Sequence, residues 1–257
     1  MRRSKILGFT LVETMVAIVI GVISVAALFY SYQFFTKSYQ GILDKASISQ
    51  SGRDALTMIA KDLRNAGYKD VNYTPLFDRW IEQRDSEDFA GADFLAIYYN
   101  TSPNDRVRIY YRVRKYKDGK NSEDMYLSRD VVENPVTAPK QLLANEIIVP
   151  YVTDFQVVLK DIDGKELKPV CIKCNAENLK HGTAAKGKAN QSKVHTAEVY
   201  LTVRSANKIY QKDKIWKIIN NYNASTGRTQ TLSPDRYHRE TFFTSVYLRN
   251  IVNIKWK

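Results

Sequence analysis

Gly8-Phe9-Thr10-Leu11-Val12-Glu13, followed by Thr14 to Phe35 without a single charged residue, is the stretch on which the fold turns. A helix needs about 20 apolar residues in succession to cross the hydrocarbon core of a bilayer, and this run supplies them. Taken by itself it reads as one membrane span. A short basic leader, Met1-Arg2-Arg3-Ser4-Lys5-Ile6-Leu7, precedes it. By the positive-inside rule Arg2, Arg3 and Lys5 hold that end in the cytoplasm, so the large C-terminal part is exported. Glu13 is the one acid within the apolar run. An ionisable group at membrane depth costs a few kcal/mol, which makes it a functional candidate that needs a partner.

An ordinary secretory signal is cut after its apolar region, behind small residues. Here the candidate cut lies before that region. The leader ending in Gly8, with Phe9 next and Glu13 fifth after the junction, resembles a type IV prepilin signal. The alternative is a plain signal anchor whose acid snorkels to the interface. The resemblance implies that a prepilin peptidase cuts between Gly8 and Phe9 and that the new amino group of Phe9 is methylated. It also implies that Glu13 offers its carboxylate to that amino group on a neighbouring subunit. A carboxylate and an ammonium buried together cost far less than either alone.

The 257 residues divide on this reading into a leader (1–8), a transmembrane half-helix (9–36), a soluble amphipathic half-helix (37–67) and a β-rich head (68–257). At 44% hydrophobic and 26% charged, the composition is that of a globular chain. The formal net charge is +12, and loss of the three leader cations leaves +9. A basic exported domain could engage DNA, anionic lipid headgroups or an acidic protein, and charge alone does not choose.

Between Gln40 and Asn65 there is no proline, and Leu56, Ile59, Ala60, Leu63 and Ala66 form a narrow apolar stripe at helical spacing. Arg53, Asp54, Lys61, Asp62 and Arg64 fill the rest, and Gly67 is a natural stop. Asp70 to Glu87 reads as a loop, then Asp93 to Tyr99 as a strand. Val107, Ile109, Tyr111 and Val113 alternate with Arg106, Arg108, Tyr110, Arg112 and Arg114, an antiparallel strand with one wet face. Asp118-Gly119 is a turn and Met125 to Ser128 its return strand. Further strands are expected within Ile147 to Lys160, at Ala197 to Arg204 and from Phe242 to Leu248, with a hairpin turn at Asp163-Gly164. Lys214 to Ile219 fits a short helix or a strand. Polar, unpatterned segments near 165–195 and 205–240 read as insertions.

Several segments in this order look like the PilW and PulJ group of minor pilins and pseudopilins. The carriers are Ser51-Gly52-Arg53-Asp54, Leu63-Arg64-Asn65-Ala66-Gly67-Tyr68, Gly91-Ala92-Asp93-Phe94, Val152-Thr153-Asp154-Phe155-Gln156-Val157, Val203-Arg204-Ser205 and Leu248-Arg249-Asn250. The resemblance implies the type IV pilin fold, an α+β unit whose long N-terminal helix packs on an antiparallel sheet. It implies a subunit that helps start or cap a type IV pilus or a type II secretion pseudopilus. It places the chain in the bacterial inner membrane, single pass with its head in the periplasm. Its partners there would be other minor and major pilins, prepilin peptidase and the inner-membrane assembly platform. The two insertions depart from the pattern.

Catalysis finds no support: His181, His195 and His238 sit in no nucleophile or metalloprotease motif. No cofactor or metal is expected. Cys171 and Cys174, the only cysteines, fit a disulfide in an oxidising compartment. A zinc site with His181 and His195, or two free thiols, are the alternatives. Asp161-Ile162-Asp163-Gly164 opens like a calcium loop but lacks the later ligands, so a hairpin turn is the better reading. Arg106, Arg108, Arg112 and Arg114 form a ladder that could follow a phosphate backbone or meet an acidic partner. The other reading is a solvated strand face that discourages edge pairing. A filament-tip module binding DNA or a surface through this face is the alternative function.

Overall fold

The computed structural model describes residues 10–68, 80–85, 92–101, 105–116, 124–133, 139–167, 193–219 and 229–252. The chain divides into two compact units, Met1–Lys45 and Ala46–Lys257, and helix α1 (Leu11–Asn65) contributes to both. In the first unit α1 is long and apolar enough to cross a membrane. Its large side chains, from Leu11 to Phe35, lie exposed. Three of its hydroxyls are satisfied locally. Thr14, Ser24 and Thr36 each donate to the backbone carbonyl four residues earlier, at 3.3, 2.8 and 2.9 Å, so none needs water.

The second unit packs the remainder of α1 against antiparallel sheets. One has five strands in simple meander order: β1 (Ile81–Asp85), β2 (Asp93–Asn100), β3 (Arg106–Lys115), β4 (Met125–Glu133) and β5 (Lys140–Pro150). A second runs β6 (Val152–Lys160), β7 (Thr196–Lys208) and β10 (Tyr237–Tyr247), with β7 in the middle. Among the described residues, strands β8 (Lys217–Ile219) and β9 (Thr229–Thr231) pair only with each other, and a short helix α2 (Arg249–Val252) follows β10. Antiparallel order holds throughout.

The apolar stripe behaves as its spacing demands: Leu56, Ile59, Ala60, Leu63 and Ala66 are all buried. They share one hydrophobic core with Leu95, Ile97, Ile109, Val113 and Leu127 of the first sheet and Phe155, Val157, Val199, Leu201 and Phe242 of the second. The stop at Gly67 is also observed. Its φ of +74° lies in the left-handed region that glycine tolerates, and its amide donates to the Tyr98 carbonyl at 2.9 Å.

Three features depart from the sequence reading. Residues 81–85, expected in a loop, form β1, an edge strand with Trp80 and Ile81 buried at its start. Ile147 to Lys160 holds parts of two strands, because Tyr151 takes a φ of +56° after Pro150 and turns the chain from the first sheet into the second. The Tyr151 carbonyl accepts from the Arg204 amide at 2.9 Å, and the Arg204 guanidinium stacks on the Tyr151 and Tyr237 rings. Of the two readings open for Lys214 to Ile219, Lys217 to Ile219 takes the strand.

The third departure is Asp62. The periodicity puts it with the solvent-facing charges, yet it is buried under the first sheet. Its Oδ2 accepts from the Tyr111 hydroxyl at 2.6 Å and from Arg129 Nε at 3.0 Å. Burial raises the Tyr111 pKa, and the Asp62 charge raises it further, so the phenol stays protonated and keeps donating.

Gly52 sets how closely α1 approaches the second sheet. A Cβ built there would fall inside the van der Waals surface of the Phe242 ring. Gly52→Ala should lower stability by about 1–3 kcal/mol through overpacking, against a helix-propensity gain of roughly 1 kcal/mol. Urea titration of the full chain in detergent should show the loss, and Phe242→Leu in the same chain should recover most of it. A midpoint unmoved by Gly52→Ala would mean that the ring swings aside freely.

Candidate functional site

Glu13 stands in the first turn of α1 and is the only charged side chain from Thr10 to Thr36. Its Oε2 accepts from the Thr10 amide and the Thr10 hydroxyl, both at 2.9 Å, while the Glu13 amide donates back to Thr10 Oγ1 at 3.2 Å. This is a capping box: an N-cap threonine and a glutamate three residues on satisfy each other's orphan amides. The Thr-x-x-Glu signature was present in the sequence. The same acid is both the closing residue of that signature and the one charge at membrane depth. Gly8 and Phe9, the processing residues, lie outside the described residues.

The β3 ladder has the expected spacing but not the expected surroundings. Val107, Ile109, Tyr111 and Val113 are buried on the core side, and the arginines alternate with them. Across the ladder stands Asp130 of β4, opposite Tyr110 in register. Its Oδ2 accepts from Arg112 Nη2 at 2.6 Å and Arg114 Nη2 at 3.0 Å, and its Oδ1 accepts from the Asn145 amide. Burial works to raise the Asp130 pKa, but the Asn145 amide and the two guanidiniums outweigh it and hold the carboxylate below its usual range. Arg108 lies 4.4 Å from the centre of the Tyr110 ring, and Arg106 is only 4% exposed. The ladder is thus a braced face, with one carboxylate shared by two of its guanidiniums and a third stacked on Tyr110, rather than a row of free cations.

Residues 3–29 match the prokaryotic N-terminal methylation motif. A search of curated proteins finds no matching sequence. Among solved structures, a type IV-like pilin from Thermus thermophilus superposes with a TM-score of 0.51 at 13% identity, covering 79% of this chain and 98% of that one. The fold is that of a type IV-like pilin.

Other candidate residues of this pilin-like chain divide into those used by the fold and those outside view. Cys171, Cys174 and His181 lie outside the described residues. His195 sits edge-on to Tyr247, with its backbone bridging Lys160 and Leu248, and His238 accepts or donates at Nδ1 to the Tyr210 hydroxyl. Among the described residues no cluster of His, Cys, Asp or Glu has the makings of a metal site. The Asp161 carboxylate accepts from the amides of Asp163 and Lys165, and Gly164 has a φ of +76°, which is the tight turn rather than a calcium loop. Asp93 of the Gly-Ala-Asp-Phe segment has a role the sequence did not suggest. Its Oδ2 accepts from the Val157 amide at 2.6 Å and so ties β2 to β6, one sheet to the other.

Asp154, on the outward side of β6, is buried with Gln156 Nε2 donating to its Oδ1 at 2.8 Å. Burial pushes its pKa up to about 7, against the lowering pull of Gln156 and the Phe155 amide. The folded chain therefore holds a proton that an ordinary aspartate in the unfolded chain releases near pH 4. Stability should fall as pH rises from about 4 to 7, then level off. Asp154→Asn should flatten that slope and stabilise the protein at pH 8 by about 2–4 kcal/mol relative to wild type. Urea titrations of both proteins at pH 5 and pH 8 check this, and parallel slopes would remove Asp154 as their source.

Proposed function

We propose that this chain is a minor subunit of the PilW and PulJ kind that helps initiate or cap assembly of a type IV pilus or a type II secretion pseudopilus. The observation that carries the reading is the methylation motif at residues 3–29 leading into an apolar helix with Glu13 as its one charge. On this reading prepilin peptidase cuts between Gly8 and Phe9, and the helix anchors the chain in the inner membrane with its head in the periplasm. Major and other minor pilins are then its neighbours and the inner-membrane assembly platform its loading site. The role is structural, not catalytic. A neighbour's N-terminal ammonium, buried in an apolar bundle, requires a carboxylate, and leaving either partner alone costs several kcal/mol. Glu13 has one oxygen engaged by Thr10 and a second available for that contact. Deletion of a subunit needed in few copies should reduce filament number more than filament length.

The second reading is a tip module that binds DNA or a surface through Arg106, Arg108, Arg112 and Arg114. The pairing of Arg112 and Arg114 with Asp130 weighs against it. If deletion left filament counts unchanged while abolishing DNA or surface binding, this second reading would replace the first.

The cap and the intersubunit contact separate by mutation. Thr10→Ala removes the cap and keeps the carboxylate, so filament number should fall little. Glu13→Ala removes both and should reduce assembly severely, with the head still folded and Gly8 processing largely retained. Substitution of Gly8 should block cutting and leave the leader attached. Electron-microscopic counts of filaments with immunoblots of the processed chain check all three, and equal loss in Thr10→Ala and Glu13→Ala would make the cap sufficient explanation.

A further inference from the structure

Among the described residues, strand β10 is the outer strand of its sheet, paired with β7 on one side only. Along its other side runs an open groove of about 630 Å³, lined by Glu240, Thr241, Phe242, Phe243 and Thr244. These five are consecutive. Phe242 points into the core and Phe243 away from it at 54% exposure, so their side chains lie on opposite faces of the sheet. What all five share on one side is the strand's backbone edge. The opposite wall is one face of α1, with Arg53, Thr57, Ala60 and Arg64 repeating at helical spacing. Arg53 and Arg64 are exposed, and among the described residues neither makes an ion pair. Eleven residues of helix span about 16 Å. Five or six residues of extended chain span about the same length.

We infer that this groove takes an extended acidic segment of a different polypeptide, added as a further strand beside β10 with its carboxylates answered by Arg53 and Arg64. An unpaired strand edge is a template for main-chain hydrogen bonding, and flanking side chains then set which segment is accepted. The two guanidiniums outnumber the single acid, Glu240, so the groove selects for negative charge. A second copy of this chain, at a net charge of +12, is a poor source of such a segment. The inference stands on the groove alone and holds whether or not the chain enters a filament.

The test uses the full chain in a neutral detergent and a fluorescein-labelled six-residue probe of alternating valine and threonine with glutamate at each end. The control probe carries lysine at each end. The acidic probe should bind roughly tenfold tighter or better than the lysine probe by anisotropy. The double variant Arg53→Gln, Arg64→Gln should lose that preference, whereas Lys61→Gln, on the same helix but outside the groove, should keep it. Bound probe should slow backbone amide exchange within residues 240–244. Equal binding of the two probes, no binding of either, or protection confined to another strand would overturn the inference. So would self-association of the chain that the double arginine variant abolishes, since the occupant would then be a second copy.

Discussion

A carboxylate buried between a helix and a sheet has to be answered at the same depth, and Asp62 is answered twice. Tyr111 from β3 and Arg129 from β4 both donate to one of its oxygens, which fixes the rotation of α1 about its own axis as well as its height on the sheet. Apolar contacts are forgiving about rotation; two donors converging on one oxygen are not. Replacing such a group by a well-packed apolar trio is often neutral for stability, but removing one partner leaves an uncompensated buried charge at about 3–5 kcal/mol. Its contribution is therefore to specificity of packing, and the narrow stripe from Leu56 to Ala66 depends on it to present the right face.

The two sheets share one core although they are separate hydrogen-bonded units. Tyr151 makes the corner between β5 and β6, and Asp93 crosses back from the head of β2 to the Val157 amide. Arg204 closes the third side, sandwiched by Tyr151 and Tyr237 and paired with Asp124. The links are of mixed kinds, a carboxylate on a backbone amide at Asp93 and a guanidinium on rings and a carboxylate at Arg204, so the sheets are held together by a few polar ties around a common apolar interior.

Where one physical demand fixes a residue pattern, the sequence shows it plainly. Period two from Arg106 to Arg114 gives β3, helical spacing from Leu56 to Ala66 gives the buried face of α1, and a chargeless run gives the span. What the sequence conceals are residues whose surroundings come from distant segments. Asp62 reads as a surface charge because Tyr111 and Arg129 are far along the chain. The corner at Tyr151 follows a proline but involves a residue type that rarely takes positive φ, so nothing local announces it. Strand β1 is short, half charged and at a sheet edge, where alternation fades. The arginine ladder is legible as spacing, but its charge balance is not, since Asp130 sits on another strand.

The hydroxyls of Thr14, Ser24 and Thr36 are each turned back onto their own helix. A helix built this way is indifferent to its medium. It exchanges lipid tails for protein side chains without breaking or needing a hydrogen bond at those three positions, so the move between them is decided by shape and dispersion. On the proposed assembly reading, its neighbours are then told apart by the contour of their surfaces and by the polar groups that remain, of which Glu13 is the only charged one.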